Sequence, residues 1–248
     1  MLTPRLIGLF ASVAVAVAAV ADTAVAQSLN LEFGDGGSAT GRIVQIVALM
    51  AILSLAPSIL VMVTSFVRIV VVLSFLRVAM GAQQTPPNAV LISLALFMTF
   101  FIMQPTLETA YTNGILPLIE EEITEEVAFE RTVKPFHSFM LKHVREKDLK
   151  LFVQLARIEN VPALEETPLR ALIPAFMISE LRRAFEIGFL LFVPFLMIDM
   201  VVASVLMSMG MLMLPPVMIS LPFKLIFFVL VDGWYLVAGS LTQSFGPL

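Results

Sequence analysis

Met207-Ser208-Met209-Gly210-Met211-Leu212-Met213-Leu214-Pro215-Pro216 lies between two strongly apolar stretches and closes on a double proline. Adjacent prolines lack amide donors and push the preceding residue out of the α region. The helix running through Ser204 and Leu206 is therefore expected to stop near Leu214. An apolar helix on each side of such a stop makes a helical hairpin. Methionine is unbranched, soft and able to fill irregular space. Most methionines on apolar helices simply fill a core. Here the crowding, the glycine and the break together favour a gasket, a surface that seals and then deforms.

Working outward, the chain has 248 residues, 59% hydrophobic and only 14% charged. Its mean hydropathy of +0.97 is far above that of a soluble domain. The chain is membrane-associated and all-α, and lipid is one of its expected surroundings. A net charge of −4 without a broad basic patch argues against nucleic-acid binding. With no cysteine there is no disulfide, thiolate metal site or cysteine nucleophile. His137 and His143 are not at i, i+4 spacing and no HExxH pattern is present, so both are expected to be solvated helix residues and no metal is expected. No GxSxG, phosphate-binding loop or dinucleotide fingerprint appears, so neither catalysis nor a cofactor is expected.

Residues 1–26 read as a cleavable signal peptide. Arg5 supplies the positive start, Leu6 to Ala21 are apolar and uncharged, and Ala24-Val25-Ala26 places small residues before a cut near Gln27. Residues 27–42, with Gly34-Asp35-Gly36-Gly37-Ser38, read as a flexible periplasmic linker. Four hydrophobic blocks follow. The first runs from Ile43 through Arg68 to Arg77 and contains Pro57; the second runs from Asn88 to about Leu107. Together they form an expected hairpin over 43–107. The polar stretch 108–184 is an outer helical region, and 185–248 is a second hairpin, with the methionine segment at 207–216 between Phe185–Leu214 and Val217–Leu241. Arg68 and Arg77 precede the short connection 81–87, which the positive-inside rule places in the cytoplasm. The amino terminus and 108–184 then face outward. In 135–157 apolar residues recur every three or four positions, with Asp148 as an expected N-cap, a turn at Glu159-Asn160-Val161-Pro162 and Pro168 opening a further helix. The acidic run Glu120–Glu126 reads as a solvated face.

Seven ionisable residues interrupt or border the apolar blocks: Arg68, Arg77, Glu180, Glu186, Asp199, Lys224 and Asp232. A lone charge at mid-bilayer costs about 2.5–3.5 kcal/mol on translocon scales, so most must be paired, interfacial or in water. A proton relay through Glu186, Asp199 and Asp232 would make the chain a small proton-coupled secondary transporter. The paired alternative is helices that pack mainly against protein. Pro57, Pro194, Pro215, Pro216 and Pro222 favour it, because broken backbone is tolerated at membrane depth only within protein or beside an aqueous cavity. The expectation is a subunit of a larger helical complex.

Several blocks carry a specific likeness: Leu60-Val61-Met62-Val63-Thr64-Ser65-Phe66-Val67-Arg68-Ile69-Val70, Pro86-Pro87-Asn88, Leu96-Phe97-Met98-Thr99-Phe100-Phe101-Ile102-Met103, Phe195-Leu196-Met197-Ile198-Asp199, Gly210 to Pro216, Leu221-Pro222-Phe223-Lys224-Leu225 and Val229 to Trp234. Over nearly the whole mature chain the sequence resembles the FliP family of flagellar type III export proteins. The injectisome counterpart is the alternative. The resemblance implies an export-gate subunit at the inner membrane, largely on its periplasmic side, in the flagellar basal body. It implies a pentamer joined by FliQ, FliR and other export-apparatus membrane proteins, through which unfolded flagellar subunits pass. It further implies a gate at Met209, Met211, Leu212 and Met213, a structural charge pairing of Glu180 with Lys224, and subunit contacts at Phe139 and Phe152. Leu212 departs from the family's methionine triplet.

Overall fold

A computed structural model describes residues 39–82, 84–158, 167–211 and 215–246, and every regular element among them is helical. The expected signal peptide, most of the linker, the turn at 159–162 and the gate positions Leu212 and Met213 lie outside the described residues. The chain divides into two units, 1–52 and 53–248. The described part of the first is the opening of helix α1 (Ala39–Met62), which begins within the last residues of the expected linker and exposes Ile43, Val44, Val47 and Met50.

In the second unit α1 runs on to Met62, uninterrupted at position 57. The first block breaks instead at Val63–Ser65. There the Thr64 hydroxyl donates to the Val61 carbonyl at 3.2 Å and accepts from the Phe66 amide at 3.4 Å. A side chain that bonds to nearby backbone offers the chain an alternative to the helical ladder. Helix α2 (Phe66–Ala79) follows, and the connection after it is held by Arg77, whose Nη1 donates to the Pro86 carbonyl at 3.3 Å and to Asn88 Oδ1 at 2.5 Å.

Helix α3 (Asn88–Ala110) continues through a π-turn (Tyr111–Ile115) into the short α4 (Leu116–Ile119). The second block therefore reaches well beyond Leu107, as one helical run of 32 residues. Gly114 lies within the π-turn. A Cβ there would lie 2.2 Å from Thr132 Oγ1, so glycine lets α5 (Glu125–His143) close against the π-turn. Helix α6 is Glu146–Leu155. Its first turn starts before Asp148, so that residue is not the N-cap; its carboxylate accepts from the Ser179 hydroxyl at 2.7 Å.

Helix α7 (Leu169–Ser208) is 40 residues long and passes Pro174 and Pro194. At 1.5 Å per residue it extends about 60 Å, roughly twice the hydrocarbon core of a bilayer. The expected boundary between outer region and second hairpin thus falls inside one helix. Helix α8 (Pro216–Leu230) and α9 (Gly233–Gln243) meet at a 64° bend, where Asp232 adopts φ +51°.

Two buried clusters hold these helices. One joins Leu73 and Leu76 of α2 to Leu91, Phe195, Phe228 and Leu241; the other joins Val63, Met140, Leu149, Leu172 and Phe176. Elsewhere large apolar side chains stand in the open, Phe97 at 73%, Phe189 at 70% and Leu230 at 79%. Surface of that kind needs lipid or other protein chains to cover it. Among the described residues, two helical runs, Asn88–Ile119 and Leu169–Ser208, are long and apolar enough to cross a membrane, and the count rises to four if each bent helix pair is one span.

Candidate functional site

The methionine segment has a fixed entrance. Helix α7 stops at Ser208, six residues before Leu214, because Gly210 takes φ +74°. The Gly210 amide donates to the Met207 carbonyl and the Met211 amide to the Leu206 carbonyl, each at 3.0 Å. This is the paired closure that a left-handed glycine gives a helix end. The double proline does not stop α7; Pro216 opens α8, a position where its missing amide costs nothing. Met207, Met209 and Met211 are exposed, Met209 at 62%. Their thioethers are presented outward rather than filling this chain's own core.

Below the turn, the α7–α8 hairpin carries a charge cluster. Lys224 is buried and its Nζ donates to Asp199 Oδ2 at 2.6 Å and to the Ala79 carbonyl at 3.2 Å. Ser220 donates to the other Asp199 oxygen at 2.5 Å. The three partners come from α2, α7 and α8. Further out, Arg68 and Glu180 are both sealed, at 1% and 0% side-chain exposure. Arg68 Nε meets Glu180 Oε2 at 2.8 Å and Nη2 meets Oε1 at 2.5 Å. Its Nη1 donates to the Ser244 carbonyl at 3.1 Å and hydroxyl at 2.9 Å, and the guanidinium lies 3.7 Å from the Phe245 ring centroid. The expected Glu180–Lys224 pairing does not form within the chain: each residue has a different partner of opposite charge, because α2 stands beside α7 and brings Arg68 to Glu180. Arg68 and Asp199 are the residues whose partnership sequence reasoning missed.

The remaining charges are scattered. Arg77 ties the 81–87 connection, and Glu186 pairs with Arg182 one turn back at 2.9 Å on an exposed face. Asp232 is exposed at the α8–α9 bend. Glu186, Asp199 and Asp232 share no hydrogen bond among the described residues. No cluster there could hold a metal ion.

Phe139 is engaged within the chain, with its ring 6.0 Å from Phe176 and 6.1 Å from Phe245; Phe152 packs at the edge of the outer cluster. The two histidines are not solvated helix residues. His137 Nε2 donates to the Thr167 carbonyl at 2.7 Å. His143 lies 4.7 Å from the Phe139 ring and 5.3 Å from Phe245. Burial, then the nearby cations Arg68, Lys142 and Arg183, lower its pKa to about 4. The missed signal was the spacing of His143 four residues after Phe139, on the apolar stripe of α5.

A model of the FliP family matches residues 49–241. The flagellar biosynthetic protein FliP of Caulobacter vibrioides is 62% identical over 233 residues, spanning 94% of this chain and 88% of that one. The protein of the same name from Bacillus subtilis is 54% identical over 202 residues, 82% of this chain and 91% of that one. That of Rhizobium meliloti is 49% identical over 241 residues, 95% and 98% respectively. On this likeness over most of its length, the chain belongs to the FliP family.

Proposed function

We propose that this chain is a channel-forming subunit of the flagellar protein-export gate, sealed at its methionine turn. The FliP family is one of flagellar export-apparatus proteins, not of enzymes. The finer reading is an assembly of several copies, a pentamer, with FliQ, FliR and other export-apparatus membrane proteins at the inner membrane. It sits largely on the periplasmic side, with unfolded flagellar subunits as cargo.

One observation carries the reading: exposed methionines sit on a turn whose backbone entrance is locked at Gly210. Rings of such thioethers from several copies exclude water and ions, and hydrophobic constrictions close by dewetting. An extended polypeptide pushes them aside, since methionine adapts to varied shapes. The Lys224–Asp199–Ser220 cluster fixes the two arms of the hairpin while the tip deforms. In this reading Leu212 keeps the ring apolar but stiffer, and the energy for transport comes from other components.

The test replaces Met209, Met211 and Met213 with alanine in cells carrying the whole apparatus. Ion leakage across the inner membrane is expected to rise while the complex stays assembled. An assembled complex that remains as tight as the parent rejects the seal. Export in an injectisome is the second reading; flagellar names on all three relatives described favour the first. Against the transporter reading, Asp199 is paired with Lys224 at 2.6 Å and Glu186 with Arg182 at 2.9 Å.

A further inference from the structure

Between α3 and α5 lies a cavity of about 890 Å³ whose wall carries Arg131, Lys134 and Lys142 beside Ile102, Phe139 and Phe245. All three cations are exposed, and none lies within ion-pair distance of a carboxylate among the described residues. At the outer end of the same helical pair is the opposite feature. Glu120, Glu121, Glu122, Glu125 and Glu126 are all exposed and have no ion-pair partner among the described residues. The turn is held in one shape, with the Glu121 amide donating to the Leu118 carbonyl at 3.1 Å and the Glu122 amide to the Pro117 carbonyl at 2.9 Å. Ile119 at 66% and Phe129 at 69% stand exposed on its flanks.

We propose that the acidic turn Glu120–Glu126 of one copy of this chain seats in the cationic cavity between α3 and α5 of a neighbouring copy. This contact rests on the multicopy assembly proposed above and names one of its joints.

Charge and shape both favour this occupant. From Arg131 to Lys142 the cations are spread along about 16 Å of helix, which suits a run of carboxylates better than a single phosphate group. The apolar wall of the cavity matches the exposed Ile119 and Phe129 beside the acids. The turn does not fill its own cavity. No carboxylate of the turn forms an ion pair with Arg131, Lys134 or Lys142, although Glu126 precedes Arg131 by only five residues on α5. Each copy therefore offers one unmatched knob and one unmatched socket. Such a head-to-tail joint closes into a ring when its rotation permits.

The sequence contains no cysteine, so paired cysteine variants report the contact cleanly. In the full chain, in membranes that hold the whole apparatus, Glu122→Cys combined with Ser138→Cys is expected to give an oxidised ladder of linked copies. Either change alone gives at most isolated dimers. Adding Arg131→Glu, Lys134→Glu and Lys142→Glu is expected to lower the linked fraction roughly tenfold, equivalent to ~1.4 kcal/mol of contact energy. Adding Glu120→Lys, Glu121→Lys and Glu125→Lys to that set then restores it. An intact oligomer on a native gel without linked product overturns this joint and leaves the export-gate reading standing. So does phospholipid that copurifies with the parent and is lost on charge reversal while no link forms. A chain that stays single in the membrane overturns both.

Discussion

The two buried ion pairs solve the same electrostatic problem in opposite ways. Arg68–Glu180 is forked, doubly hydrogen-bonded and sealed, with Ser244 and the face of Phe245 taking the rest of the guanidinium. Lys224–Asp199 is a point-charge contact whose carboxylate keeps 24% exposure and a serine donor. Arginine's planar fork is pre-organised for a fixed geometry, whereas an ammonium on a flexible stem adapts. The rigid pair lies where α2, α7 and the end of the chain converge. The adaptable one lies in the hairpin that carries the methionine turn. Rigidity thus sits at the Arg68–Glu180 clamp and tolerance in the α7–α8 hairpin.

Breaking the outer pair should have the largest effect. Arg68→Ala leaves Glu180 buried without its counter-charge, which typically costs about 3–5 kcal/mol. Thermal unfolding of the detergent-solubilised chain, followed by its single tryptophan, Trp234, should show a large fall. Arg68→Lys should recover little, because one ammonium cannot serve Glu180 and Ser244 together. Full recovery by lysine would erase the distinction drawn here.

At the inner pair, Lys224→Met should lower stability by a smaller amount, about 1–3 kcal/mol, because Asp199 retains Ser220 and access to solvent. Combining it with Asp199→Leu should return most of the loss, as apolar replacement of a whole buried pair usually does. A Lys224→Met variant as damaged as Arg68→Ala would remove the contrast between the two sites.

The smallest effect sharpens the comparison by pH. His143 contacts the Phe245 ring that covers Arg68, and its pKa is lowered to about 4 in the fold against roughly 6.5 when unfolded. The unfolded chain therefore binds the extra proton first. The stability contributed by neutral His143 is complete above about pH 6.5 and is lost as pH falls toward 4. The transition midpoint should decline across that window, and His143→Gln should flatten the decline. An unchanged profile in the variant would mean that other groups set the pH dependence.

Much of the helical pattern was legible from apolar periodicity, and the methionine break stood out. Proline chemistry alone places the helix stop near Leu214, but Gly210 in the left-handed region ends the helix first, at Ser208. Likewise, Pro57 was expected to interrupt α1, yet the Thr64 side chain a few residues on competes with the ladder instead. The charge partners were only half legible. Asp199 lies nine residues before the end of α7 and Lys224 eight after the start of α8, so folding the hairpin brings them level. That symmetry could have been counted. Arg68–Glu180 could not, since it depends on how α2 lies along α7, which no local spacing encodes.

Helix α7 carries one further implication. Glu180 is clamped by Arg68, and the methionine turn begins 28 residues later on the same helix. The helix therefore works as a ruler, setting both the distance and the compass bearing of the methionine turn from the Arg68–Glu180 clamp. Each added or deleted residue in that interval shifts the tip by about 1.5 Å and swings it by about 100°. Changes of length there would re-aim Met207 and Met209 relative to Glu180.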